Sequence, residues 1–251
     1  MDFNRLDYYE YAGQPRSLAV ADVSGDGRLD VLVSTDFGHT FVFAQQPDGT
    51  LTETQDLIMA GALGAGDFDG DGRADVIASD TTTVKVAYGK PDGGLDAPQT
   101  VSGVSPANAI TTADLNGDGR TDILLTGSSG TTLLSQRADR RFDVARLTDV
   151  AFPNMGLADL DQDGRLDIAG SESRVGLDYL LHQADGSYTL QRHTTPGEDV
   201  SDVAMPIWDG GTAGTVVLGE QSNSPWLRND FLVPPSGEWT SGVELQTQDD
   251  P

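Results

Sequence analysis

The sequence predicts an all-β fold, a β-propeller of four-stranded antiparallel blades, and three observations favour it. One Asp-rich loop recurs four times, at steps of 45, 47 and 45 residues. Short alternating segments, separated by turn pairs such as Asp-Gly, surround each loop. No segment keeps a 3.6-residue apolar period, which argues against helices. Four short strands that repeat about every 46 residues are typical of propeller blades, whereas a β-sandwich does not usually repeat one loop at a fixed step.

The four loops align without gaps over thirteen residues, at Ala21–Val33, Gly66–Ala78, Ala113–Leu125 and Ala158–Gly170. A second signal keeps the same period, because turn pairs follow at Asp48-Gly49, Asp92-Gly93 and Asp185-Gly186, with Asp139-Arg140 in the equivalent place. Each repeat is therefore expected to form four strands. In the first repeat these are predicted at Ser17–Val23, Leu29–Ser34, Thr40–Ala44 and Leu51–Leu57.

We predict one domain over residues 1–251, with five blades at about 16–59, 60–105, 106–151, 152–198 and 199–246. The fifth repeat has lost its metal chemistry, since Ile207 stands where the first aspartate belongs and only Asp209 survives. Its last strands are predicted at Thr215–Leu218, Pro225–Leu232 and Glu238–Leu245. Residues 1–12 contain an additional outer strand, which closes the ring against the last blade or is the remnant of a blade further upstream.

The loop Asp67–Asp75 shows why these repeats are predicted to bind calcium. Calcium takes six to eight oxygen ligands and tolerates irregular geometry. Carboxylates at positions 1, 3, 5 and 9, with the carbonyl at position 7, can surround one ion, and the glycine at position 6 allows the chain to reverse. The predicted ligands of the four Ca²⁺ sites are Asp22, Ser24, Asp26, Arg28 and Asp30; Asp67, Asp69, Asp71, Arg73 and Asp75; Asp114, Asn116, Asp118, Arg120 and Asp122; and Asp159, Asp161, Asp163, Arg165 and Asp167, each arginine through its backbone carbonyl.

Two other types of loop share parts of this pattern. An EF-hand shares the opening of the motif but requires a bidentate Glu at position 12 and flanking helices. Position 12 is instead Val33, Ala78, Leu125 or Gly170, and the flanks are β-strand-like. Asp-Gly sequences are also good turn formers without any metal. Because carboxylates recur at fixed offsets in four copies and would repel one another, calcium is the favoured interpretation.

Composition restricts the classes of partner. The formal charge is −25, from 40 acidic and 15 basic residues, so the chain has no basic stripe for nucleic acid. No apolar run is long enough to cross a bilayer, so membrane insertion is not expected. The absence of cysteine excludes disulfides and thiolate chemistry. The first residues show no signal peptide, so an exported protein would have lost it or would carry it upstream.

These loops resemble those of the FG-GAP/VCBS repeat family, the propeller repeats also found in the head of the integrin α-subunit. The shared Asp-x-Asp-x-Asp-Gly-x-x-Asp core is specific, and the resemblance covers about residues 16–200 well and 200–245 weakly. Ser24 and Gln162 depart from the motif, and family propellers commonly have seven blades. The resemblance implies a calcium-binding propeller that acts as an extracellular, cell-surface or periplasmic binding or adhesion module, with carbohydrate or protein as the ligand.

The alternative is a polysaccharide-active enzyme, a lyase or hydrolase, on a calcium-stabilised propeller. No catalytic constellation is visible, because His39, His182 and His193 stand in unrelated contexts and no nucleophile elbow or phosphate-binding loop occurs. We therefore expect no enzymatic activity. The identity of the ligand and its binding residues do not follow from the sequence.

Overall fold

The computed structural model describes residues 13–137, 140–152, 155–172, 176–193, 199–204, 215–221, 224–233, 238–241 and 245–246. Regular structure over these residues is strand alone, so the predicted all-β class is confirmed. No segment in this part of the chain forms a helix that is long and apolar enough to cross a membrane. Three predicted features lie outside the described residues: the N-terminal strand in residues 1–12, the turn residue Asp139, and the loop around Asp209 that has lost its predicted metal ligands.

Four sheets have four antiparallel strands each, paired in the order of the chain. They comprise β1 (Pro15–Ala21), β2 (Asp30–Thr35), β3 (Thr40–Gln45) and β4 (Leu51–Leu57); β5 (Ala62–Gly66), β6 (Asp75–Ser79), β7 (Val84–Ala87) and β8 (Gln99–Thr100); β9 (Ala109–Ala113), β10 (Asp122–Gly127), β11 (Gly130–Gln136) and β12 (Phe142–Thr148); and β13 (Met155–Ala158), β14 (Asp167–Glu172), β15 (Gly176–His182) and β16 (Tyr188–His193). Each sheet lies within one sequence repeat, apart from Pro15.

A further sheet contains five strands rather than the predicted four. It comprises β17 (Asp199–Ala204), β18 (Thr215–Gln221), β19 (Ser224–Val233), β20 (Glu238–Ser241) and β21 (Leu245–Gln246). The strand predicted over Glu238–Leu245 is thus two segments, which both pair with β19. The register shifts by one residue between them, because Asp230 faces Ser241 whereas Leu227 faces Leu245. Because β19 has ten residues, the four-residue β20 pairs with only part of it, and β21 pairs with another part.

The chain divides into two compact units, residues 1–114 with 118–146 and residues 115–117 with 147–251. In the first unit, both faces of β6 are buried because apolar residues point alternately to either side. Val76 and Ala78 belong to a core shared with β2 and β3, whereas Ile77 belongs to a second core shared with β10 and β11. Successive sheets of this unit therefore pack face to face. The prediction of a single domain stays a prediction.

The first strands of neighbouring sheets in this unit lie close together. The backbone N–H of Leu63 on β5 donates to the Ser17 hydroxyl on β1 at 3.1 Å. On the other side, the Thr112 hydroxyl on β9 donates to the Ala65 carbonyl at 2.8 Å. Gly64 permits this approach, because a Cβ there would lie 2.6 Å from Cγ2 of Ile110.

The replacement Gly64→Ala should therefore lower the free energy of unfolding by about 1–3 kcal/mol, the usual cost of overpacking a filled core. Chemical denaturation monitored by tryptophan fluorescence or circular dichroism measures the effect. The control is Ala62→Gly on the same strand, which adds backbone freedom and removes a partly buried methyl group but inserts no atom into the core, and it is expected to cost about 1 kcal/mol. An unchanged stability of Gly64→Ala would contradict the close approach of β5 and β9.

Candidate metal centres

Each Asp loop connects the first and second strands of its sheet, and the carboxylate at position 1 organises it. In the second loop, Asp67 Oδ1 accepts the backbone N–H of Gly70 at 2.7 Å and of Asp71 at 3.1 Å. Its Oδ2 accepts the N–H of Gly72 at 2.8 Å. The bond from the glycine at position 6 recurs in every loop, with donors Gly27, Gly72, Gly119 and Gly164 at 2.8–2.9 Å. The loop conformation is therefore built by one aspartate and the N–H groups after it.

Two positions of the loop require a left-handed backbone. The glycines at position 6 have φ between +82° and +87°. Position 4 has φ of +73° to +77° where it is glycine, and Gln162 adopts φ +60° at the same position of the fourth loop. A non-glycine residue in this region costs about 1–2 kcal/mol, so the fourth loop keeps the common shape in spite of its side chain.

The second and fourth loops each bring three carboxylates together. One oxygen from each of Asp67, Asp69 and Asp71 lies within 4.8 Å of the others, and Asp159, Asp161 and Asp163 form the same cluster. These two triads could hold a metal ion. In the first and third loops Ser24 and Asn116 occupy the middle position. The remaining predicted ligands, including the backbone carbonyls of the four arginines, stay predictions.

The aspartate at position 9 is fully buried in all four loops, at Asp30, Asp75, Asp122 and Asp167. In the second loop, Asp75 Oδ2 accepts the N–H of Phe68 at 2.6 Å and Oδ1 accepts that of Gly89 at 2.7 Å. Asp30 and Asp167 likewise accept one N–H from their own loop and one from the end of the third strand. This residue therefore fixes the loop to the sheet, a role that the sequence motif does not reveal.

The arginine at position 7 also has a role that the motif does not reveal. The side chains of Arg28, Arg73 and Arg165 pair with the aspartate at position 5 of their loops. Their Nε–H groups donate to a carbonyl at the end of the third strand, at 2.9–3.1 Å. Arg120 makes the first contact, with Asp118 at 2.7 Å. Each loop thus carries one cation of its own.

Burial disfavours the charged form of several loop carboxylates. It raises the pKa of Asp75 to about 7 and that of Asp167 to about 6, against the pull of the backbone N–H donors. Burial, followed by the negative charge of Asp163, also raises the pKa of Asp161. Asp161 Oδ1 is buried, and no described hydrogen-bond donor contacts it. An orphaned carboxylate oxygen in a cluster of three aspartates fits a bound cation.

The shifted pKa values predict a pH dependence in the metal-free protein. Because the folded pKa of Asp75 and Asp167 exceeds the unfolded value near 3.8, folding favours their protonated forms. Their contribution to stability should therefore rise as the pH falls from about 8 towards about 4. Carboxyl ¹³C NMR titration in chelator should give midpoints near 7 and 6, and saturating calcium should lower both. Asp48, whose turn hydrogen bonds to Thr50 lower its pKa, is the internal control. Midpoints below 4 for both buried groups would contradict the prediction.

Two of the three histidines have described side chains, and their surroundings are different. His39 Nδ1 lies 2.7 Å from Oδ1 of Asp56 on the surface, and its ring stacks on Phe41. His182 is buried against Tyr188, with ring centroids 4.6 Å apart, and burial lowers its pKa. The side chain of His193 lies outside the described residues.

Comparison with solved structures supports the fold. BBS1N, solved in complex with ARL6DN, superimposes with a TM-score of 0.63 at 7% identity, over 94% of this chain and 70% of that one. A protein from Lactobacillus plantarum gives 0.59 at 19% identity, over 92% and 70% of the two chains. The V. cholerae biofilm matrix protein Bap1 gives 0.53 at 16% identity, over 96% of this chain and 40% of that one. These neighbours are β-propeller-like, and at such low identity they show the fold alone.

Comparison with protein families concerns the loops themselves. No curated protein sequence matches the chain significantly. The family model described as "FG-GAP-like repeat" matches residues 67–125 and 114–170, which contain the second, third and fourth Asp loops. Residues 67–170 are therefore FG-GAP-type repeats, and the family resemblance predicted from the sequence is confirmed.

Proposed function

We propose that this chain is a five-bladed, calcium-binding β-propeller that serves as an extracellular, cell-surface or periplasmic binding or adhesion module. The observation that carries the proposal is the pair of Asp triads, of which the fourth-loop triad contains Asp161 Oδ1, a buried oxygen that no donor among the described residues contacts. Closure of the sheets into a ring would remove the exposed edges that an open array presents. FG-GAP-type repeats support both the propeller and the calcium sites.

Calcium is the cation that suits these donors best. The two triads offer only carboxylate oxygens, which are hard ligands, and the chain contains no cysteine to favour softer metals. Magnesium demands near-ideal octahedral geometry and loses its waters reluctantly, whereas calcium accepts the irregular oxygen sets that a loop supplies. Four bound ions would change the formal charge from −25 to −17, so the protein would remain acidic.

The expected contribution of calcium to stability is substantial. Extracellular sites bind with dissociation constants of about 10⁻⁴–10⁻³ M. At about 2 mM calcium, each filled site then adds roughly 0.7–2 kcal/mol to the free energy of unfolding. Four sites together would add about 3–8 kcal/mol, which is large beside the roughly 5–15 kcal/mol typical of a domain.

Removal of calcium should therefore lower the melting temperature, and magnesium should restore it poorly. Thermal melts with and without chelator, beside an elemental count of bound metal, measure both effects. Asp163→Asn should reduce the metal content by one ion per chain, because it removes a carboxylate from the fourth triad. Asp143→Asn is the control, since that carboxylate is 70% exposed and pairs with Arg137 outside the loops. A melting temperature indifferent to chelator, with fewer than two calcium ions per chain, would contradict the calcium proposal.

The binding role predicts recognition without turnover. The ligand we propose is a glycan or a protein, because a strongly acidic surface of charge −25 is unsuited to nucleic acid. A glycan array probed with the calcium-loaded protein should show calcium-dependent binding to a restricted set of structures. Incubation with the same polysaccharides should release no reducing ends or unsaturated products. Release of such products would overturn the proposal in favour of a lyase or hydrolase.

A further inference from the structure

The second Asp loop is contacted by a positively charged side chain from another sheet. Arg140 belongs to the turn between β11 and β12, and its guanidinium lies 2.6 Å from Oδ2 of Asp69 and 3.8 Å from Oδ2 of Asp71. The Asp69 side chain is only 3% exposed. Arg140 is also positioned over the buried ring of Tyr88, with 4.5 Å between Cζ and the ring centroid. The Tyr88 hydroxyl donates to the Arg140 carbonyl at 3.2 Å.

The backbone of Arg140 indicates that this placement has a cost. Its φ is +62°, in the left-handed region, and the equivalent turn positions of the other sheets are Gly49, Gly93 and Gly186, with φ between +81° and +88°. A non-glycine residue there costs about 1–2 kcal/mol. Backbone strain of this kind persists where surrounding contacts hold the residue in place, and it is common at functional sites. The contacts of the Arg140 side chain hold this residue against the second loop.

The equivalent turn of the second sheet shows what the glycine normally permits. Gly93 lies against the first Asp loop so closely that a Cβ there would be 2.6 Å from the Ser24 carbonyl oxygen. The neighbouring Gly94 donates its N–H to the Val23 carbonyl at 2.9 Å. Two turns of the first unit, each after the third strand of its sheet, therefore contact the Asp loop of the preceding sheet. The turn that contacts the first loop does so through backbone atoms of Gly93 and Gly94. The turn that contacts the second loop does so through the guanidinium of Arg140.

The fourth loop provides a comparison with the same set of carboxylates. Asp161 occupies the position that Asp69 occupies in the second loop, and its Oδ1 is buried without a described donor. Among the described side chains, the four aspartates of the fourth loop are offset by Arg165 alone, giving a local charge of −3 when every carboxylate is ionised. The second loop has both Arg73 and Arg140, which gives −2.

We propose that Arg140 is a built-in counterion of the second loop, which holds the loop assembled without metal and raises the calcium concentration needed to fill it. The proposal rests on the proposed calcium function. Its physical basis is that a second positive charge next to Asp69 both repels an incoming cation and occupies a carboxylate that the cation needs. The second and fourth loops, with the same four aspartates, would then fill at different calcium concentrations, so that the propeller responds to calcium in stages.

The test follows calcium binding loop by loop. The backbone N–H of Gly72 donates to Asp67 at 2.8 Å and that of Gly164 donates to Asp159 at 2.9 Å, so each amide reports on its own loop. In ¹⁵N-glycine-labelled full-length protein, Gly164 should respond to calcium at a concentration at least several-fold lower than Gly72. Arg140→Ala should lower the Gly72 midpoint by roughly tenfold, which corresponds to about 1.4 kcal/mol, and should leave the midpoint of Gly164 unchanged.

Further variants keep the test decisive. Arg140→Gly removes the same charge and relieves the strained backbone, so it should give the same midpoint even if the alanine variant folds poorly. Arg137→Ala is the charge-matched control, because Arg137 pairs with Asp143 on the same sheet, and it should leave the Gly72 midpoint unchanged. In chelator, Arg140→Ala should melt at a lower temperature than the Arg137 variant.

The outcomes separate the two proposals. If Gly27 and Gly164 respond to calcium but the Gly72 midpoint stays constant or rises in both Arg140 variants, the counterion role is wrong and the calcium function stands. If no loop glycine responds to millimolar calcium in any variant, the calcium function itself is wrong. In that case the inference falls with it, whatever the melts in chelator show.

Discussion

The hydrogen bonding of one buried aspartate per repeat fixes each Asp loop to its sheet. In the described part of the chain this residue is the first of the second strand, and it is fully buried in all four loops. A buried carboxylate is tolerated only when its oxygens have partners, and the backbone N–H groups that it accepts come from two different segments. It therefore connects the loop to the end of the third strand. Without it, the loop that the position-1 carboxylate shapes would lose its attachment to the sheet.

The loops also bring several carboxylates close together. Burial raises the pKa of Asp75 and Asp167, and the triads beside them add further negative charge. The arginine at position 7 offsets one charge in each loop but leaves the others. The protein thus holds together groups that repel, and a cation is the simplest means of relieving that repulsion. In the proposed calcium-bound state, stability and metal binding would be coupled, because the same carboxylates would serve both.

The sequence was sufficient for the repeat, the strand-only fold and the loop positions, because a fixed period and a rigid motif are local signals. Leu51–Leu57 was predicted with the bounds that β4 has, and the family resemblance was confirmed. The long strand predicted over Glu238–Leu245 was less accurate, since the register of its pairing with β19 depends on tertiary contacts. In the loops, the motif revealed which residues are acidic but not that the position-9 carboxylate accepts backbone N–H groups from two separate segments.

Arg140 shows why part of the site could not be predicted. In the sequence it is only an irregular member of a series of turn glycines, some 70 residues from the loop that it contacts. Its importance depends on the packing of the third sheet against the second, which places the turn after β11 beside Asp69. A repeat protein can therefore change one site without changing its motif, by altering a turn in the next repeat. Loops with the same four aspartates then differ in the number of neighbouring arginines, so an identical motif does not imply an identical affinity for a cation.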